Sequence, residues 1–97
     1  MSKNLTIIAR IESKPEKIDF IKTEVLKLIE PTRKENGCIQ YNLHRDNEKP
    51  EIFLFYETWE SLELWQEHME SSHLKDFVKN TEGFLNALEI SQMSLIS

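Results

Sequence analysis

The stretch YETWESLELWQEHMESSH, Tyr56 to His73, holds both tryptophans of the chain, one of its two tyrosines and two of its three histidines. Imidazole is the side chain that exchanges protons near neutral pH. His68 is the strongest candidate for that work. Helical spacing sets it beside Leu64 and about a turn beyond Trp65, where an apolar wall can hold the ring neutral and basic. The plainer alternative is a hydrogen-bonded helix histidine. His73 follows two serines at a helix start, where the helix dipole disfavours the imidazolium form; it is a candidate substrate contact or a loop histidine. Trp59 ends a strand, and its indole could stack on a planar ligand or plug the sheet edge. Tyr41 offers a strand phenol, as does Tyr56. Glu57 and Arg10 are charges within apolar strands, and a buried charge needs a partner. His44, beside Arg45 and Asp46, reads as exposed. Together these residues describe a small aromatic pocket with one or two imidazoles, and by themselves they name no reaction.

Several chemistries lack their signatures. Neither glycine lies in a phosphate-cradling loop, no G-x-S-x-G turn is present, and the histidines show neither H-x-x-x-H nor H-x-H spacing. No dedicated metal site is expected. Cys38, the single cysteine, reads as a packing residue and has no internal disulfide partner. A net charge of −5 argues against sequence-independent nucleic-acid binding, and no polybasic run addresses an anionic membrane. The N-terminal apolar run is shorter than a signal h-region, and no stretch approaches the roughly 18–20 apolar residues of a membrane span. The expected location is the cytoplasm.

The positioning elements follow from the hydrophobic period. With 97 residues, 39% apolar and 30% charged, the chain has room for one domain over 1–97 with one modest core. NLTIIARIES alternates as a strand, with Leu5, Ile7, Ala9 and Ile11 on one face. Ser13, Pro15 and Glu16 form a capping-box start for a helix carrying Ile18, Ile21, Val25, Leu28 and Ile29. Pro31 is expected to kink or end that helix, and Gly37 to stop it. CIQYNLHR and EIFLFYETW are strands joined by the turn-rich RDNEKP. On the first of these, Ile39, Tyr41 and Leu43 are placed opposite Cys38. Ser61 caps a second helix, ESSH offers another cap, and LNALEISQMSLI closes the chain as a strand. The order β-α-β-β-α-β predicts an α+β, ferredoxin-like fold: a four-stranded antiparallel sheet with helices on one face. The other face, with Ile8, Ile52, Leu54 and Tyr56, is then expected to pack on a second copy, giving a homodimer.

LTIIARIESKPEK, EPTRKENGCIQYNLHRDNEKPEIFLFYETWES and HMESSHLKDF together resemble the antibiotic biosynthesis monooxygenase family, its small quinol monooxygenase-like members above all. FYETWES followed by EHMESSHLKDF is the most specific part, and ENGCIQY supports it. The resemblance implies a dimeric ferredoxin-like α/β-barrel with a cleft between helices and sheet for planar aromatics. It also implies oxidation of a phenol or quinol to a quinone by O₂ with no flavin or metal, so no cofactor is expected. Trp59, His68 and His73 match the family's recurring positions, with Tyr41 and Glu57 as further matches. On this reading His68 is the base or proton shuttle and Trp59 a catalytic stacking wall, while His73, Tyr41 and Glu57 bind substrate. Haem-degrading relatives carry asparagine, tryptophan and histidine where this chain has Ala9, His68 and Val78, so haem degradation is not expected. The alternatives are isomerisation of a phosphorylated signalling sugar, with Arg10 and Lys75 as the basic groups, and a non-catalytic dimeric stress-response or ligand-binding protein.

Overall fold

A computed structural model describes residues 4–97; residues 1–3, which the sequence reading includes in its single domain, lie outside the described part. The strands are β1 (Leu5–Ser13), β2 (Cys38–Arg45), β3 (Ile52–Trp59) and β4 (Leu85–Met93), and the helices are α1 (Ile18–Leu26), α2 (Ile29–Arg33), α3 (Leu62–Met69) and α4 (Ser72–Thr81). The expected ferredoxin-like α+β order is present, with each helical segment broken in two. All four strands pair antiparallel in the order β2-β3-β1-β4. No helix among the described residues is long and apolar enough to cross a membrane.

Period-two alternation decides the faces. Ile7, Ala9 and Ile11 of β1 and Phe53, Phe55, Glu57 and Trp59 of β3 turn toward the helices and are buried. Ile21, Val25 and Leu28 meet them from the α1 side, and Trp65 and Phe77 from α3 and α4. The opposite face carries a short apolar strip, Ile8, Leu54 and Tyr56, bordered by Arg10, which pairs with Glu12 and Glu89.

Two local expectations are corrected, and a third, the break at Pro31, is met one turn upstream. Ser13 does not cap a helix: it is a buried residue of β1, and its hydroxyl donates to the Lys14 carbonyl, so the capping box does not form. The first turn after it is a 3₁₀ turn, Pro15–Lys17. The strand won because the Ser13 N–H is already bound to the Glu51 carbonyl at 2.8 Å. In β2 the pairing slips between Cys38 and Gln40, so Cys38 and Tyr41 share the helix-covered side while Ile39 is half exposed. Pro31 acts one turn upstream of where it sits. It lies inside α2, and because it has no N–H for the Lys27 carbonyl, the helix breaks at Lys27 and Leu28.

Gly37 and the serines hold the site elements in place. Gly37 has φ of +87°, a region that favours glycine, and a Cβ there would collide with the Leu64 side chain of α3. Its carbonyl accepts from the Glu60 N–H at 2.9 Å. The loop before β2 is thereby pressed against the start of α3. Ser61 caps α3 and Ser71 caps α4, each accepting from the N–H of Leu64 or Leu74.

Candidate active site

His68 points inward from α3 and is only 2% exposed. Its Nδ1 lies 2.7 Å from Glu35 Oε2, and His73 Nε2, from the first turn of α4, lies 2.6 Å from the same oxygen. A carboxylate oxygen accepts, so each facing nitrogen carries a hydrogen. For a neutral His68 ring this places the proton on Nδ1 and leaves the lone pair on Nε2. Burial holds the His68 pKa below its usual value, opposed by the hydrogen bond and charge of Glu35 and reinforced by His73. Glu35 sits between backbone bonds that run from its own N–H to Thr32 and from the Cys38 N–H to its carbonyl.

The rest of the cluster is aromatic. The Trp59 ring lies 4.8 Å from His68, Tyr41 meets His68 edge-on at 5.7 Å, and Tyr41 stacks on Phe55 at 4.6 Å. Trp59 Nε1 donates to Glu57 Oε1 at 2.9 Å. Burial pushes Glu57 up to about 7, against the lowering effect of the Trp59 hydrogen bond and with help from the charge of Glu35. Burial, then the charge of Glu57, raises Tyr41 above the usual phenol range. Cys38 is likewise pushed up to about 11, mainly by burial, as befits a packing cysteine.

A cleft enclosing about 500 Å³, its open mouth included, lies between the sheet and α3–α4. His68, Tyr41, Glu57 and Trp65 are the lining residues that carry polar side-chain atoms; Ile7, Ala9, Phe55, Met69 and Phe77 are among its apolar walls. Tyr41 and Glu57 are cross-strand partners, so both present to the same end of the cleft. Among the described residues no lysine or arginine lines it.

Five residues were expected at the site, and the structure divides them. His68, Tyr41 and Glu57 line the cleft. Trp59 does not: it is fully buried, with its ring tilted 33° against the His68 imidazole. His73 faces a separate polar cleft with Glu24, Lys27, Asp76 and Asn80, shares the Glu35 oxygen with His68, and holds its ring 5.9 Å from the His68 ring. Of the other candidates, His44 is exposed on the open sheet face with Arg10, and Lys75 pairs with Glu70. Glu35 was missed as a site residue. The only signal was its place in ENGCIQY, since nothing local marks one glutamate in a charged loop.

Glu35, His68 and His73 also bring two nitrogens and a carboxylate oxygen within 4.8 Å of one another, a donor set that sequence spacing does not reveal. The oxygen itself occupies the point where the nitrogens converge, at hydrogen-bond distance from both, and a cation would have to displace it.

Residues 4–80 match the family profile described as antibiotic biosynthesis monooxygenase. The Pseudomonas aeruginosa protein PA3566 is 31% identical in its crystal structure, with a TM-score of 0.94 over 100% of this chain and 98% of that one. A crystal structure described as an antibiotic biosynthesis monooxygenase is 28% identical, with a TM-score of 0.90 over 96% and 99% of the two chains. An uncharacterized protein of Synechocystis sp. is 28% identical over 81 residues, which cover 84% of this chain and 55% of that one, so the match spans about half the length of that relative.

Proposed function

This chain belongs to the antibiotic biosynthesis monooxygenase family, and we propose that its cleft binds a small phenol or quinol which His68, held by Glu35, deprotonates for oxidation by O₂. The observation that carries this reading is the 2.7 Å bond from His68 Nδ1 to Glu35, on a ring that also lines an apolar cleft. It leaves Nε2 as the basic nitrogen for a bound hydroxyl. The apolar walls around that nitrogen lower the local dielectric and strengthen the transfer.

For a phenol with a free para carbon the balance closes without a further reductant. His68 takes the hydroxyl proton, and the phenolate gives one electron to O₂. The resulting radical pair joins at the para carbon, and the proton returns to the peroxide oxygen. Loss of the para C–H proton then expels the outer oxygen, which leaves as water and yields the para-quinone. Phenol plus O₂ thus gives quinone plus water. Glu57, pushed up to about 7 by burial, can donate to an oxygen at the polar end of the cleft, and Tyr41 can orient the substrate. Trp59 acts as a positioning residue, bracing His68 and Glu57. The described lining residues include no lysine or arginine, which weighs against a phosphorylated sugar, whose phosphate would need them.

Turnover of a para-unsubstituted naphthol under ¹⁸O₂ tests the scheme. One labelled oxygen is expected in the quinone and one in water, with one O₂ consumed per quinone. Oxygen uptake no faster than in buffer, across phenols and quinols, would remove the reading.

The strip of Ile8, Leu54 and Tyr56 supports a homodimer through the open sheet face. Light scattering at micromolar concentration is expected to return twice the chain mass; Leu54→Lys is expected to shift it toward one chain, and a wild-type monomer would refute the pairing.

A further inference from the structure

The strand register gives the cleft a direction. Across the sheet, Tyr41, Glu57, Ile7 and Gln92 stand in one row, Leu43, Phe55, Ala9 and Ile90 in the next, and Arg45, Phe53, Ile11 and Leu88 in a third. Of these, the polar residues that line the cleft, Tyr41 and Glu57, lie on β2 and β3. β4, two strand spacings or about 10 Å from β3, offers only Leu88 and Ile90 to the cleft. These two are 46% and 42% exposed, and Val78 opposite them on α4 is 53% exposed, although all three line the cleft. The mouth is thus apolar and open to water. Ala9, between Phe55 and Ile90, puts only a methyl group on the cleft floor between the polar end and β4.

The mouth does not end the apolar track. Phe77, Val78 and Leu88 also line a second groove of about 430 Å³, its open side included, which runs between α4 and β4 past Thr81, Gly83 and Leu85. Among the described residues its one charged lining residue is Glu82. A charged or phosphorylated extension gains nothing there, whereas a neutral hydrocarbon chain covers side chains that are otherwise wet.

We propose that the cleft takes amphiphilic phenols or quinols, with the ring among Tyr41, Glu57 and His68 and an apolar tail leaving past Val78 and Leu88 into the α4–β4 groove. This rests on the phenol reading of the cleft and adds a second, tail-binding subsite to it. The continuity of the two cavities through shared residues selects the occupant: a tail already tethered by its ring reaches the groove without separate binding.

The test uses 4-alkylphenols from methyl to hexyl, whose blocked para carbon prevents para-quinone formation. Binding is read from tryptophan fluorescence, since Trp65 lines the cleft. Each methylene is expected to tighten the dissociation constant by about two- to fourfold until the groove is filled. Val78→Ser combined with Leu88→Ser is expected to cut the methyl-to-hexyl ratio by about tenfold. Both positions are half exposed, and a melting temperature near that of the wild type verifies the fold. Equal affinities for methyl and hexyl, as when a second copy of the chain covers the groove, would overturn the tail subsite and leave the phenol reading standing. A ratio unchanged in the double variant would do the same. Failure of every member to bind would overturn both.

Discussion

Replacing His68 with alanine is expected to lower O₂-dependent turnover of a para-unsubstituted phenol by about 10²–10⁴-fold, the usual contribution of a positioned base. The ring is buried against Trp59 and Tyr41, so its loss also leaves a cavity. Rescue separates the two effects: added imidazole should restore part of the rate if the missing group is a base, and none if the fold has loosened. Glu35→Gln is expected to keep the fold and lose less activity than His68→Ala, with a diagnostic change in pH profile. Burial already sets the His68 pKa below its usual value, and Glu35 opposes that shift. Without the carboxylate the acidic limb of kcat/KM should move to lower pH. Equal turnover by wild type and His68→Ala would take His68 out of the mechanism, and an unmoved acidic limb in Glu35→Gln would uncouple the pair.

Glu57→Gln is expected to change how stability depends on pH. Burial raises the Glu57 carboxyl from 4.5 to about 7 in the folded chain. Below pH 4.5 the folded and unfolded forms both hold the proton. Between 4.5 and 7 only the folded form holds it, so stability falls as pH rises through this window and is level above it. From pH 5 to pH 8 this one group is expected to remove roughly 2–3 kcal/mol. Glutamine carries no such cost, and its side-chain oxygen can still accept from Trp59 Nε1. Urea denaturation of both proteins at pH 5 and pH 8 isolates the group, because other titrations largely cancel in the difference. The variant should gain that amount relative to wild type at pH 8. Parallel stability profiles would show that Glu57 is ionised without penalty and would remove it as a proton donor.

Much of this architecture can be read from residues close together in the chain. Ser61 and Ser71 cap helices because a hydroxyl three residues before an N–H is a local device, and Gly37 marks a left-handed turn that favours glycine. Alternation separates Ile7, Ala9 and Ile11 from Ile8 and Arg10. The same reasoning misleads where a long-range partner intervenes. Ser13 has the spacing of a cap, yet its N–H is held by Glu51, far along the chain. Ile39 has the parity of Tyr41, yet the slip in pairing with β3 turns it outward.

Residue type and helical spacing were enough to single out His68 and His73, and strand parity put Glu57 on the buried side of β3. Which of them share a cavity was decided only by tertiary packing. One carboxylate oxygen from a loop 33 residues before His68 joins the two imidazoles, and no period or motif length encodes that meeting. The same packing sets Trp59 behind the imidazole rather than in the cleft, turns His73 to a different cleft, and leaves the α4–β4 edge open. The physical reason is one of range. Backbone propensity and amphipathic period act over a few residues and select elements, whereas proton position, burial cost and cavity shape depend on which distant side chains the folded elements bring within a few ångströms.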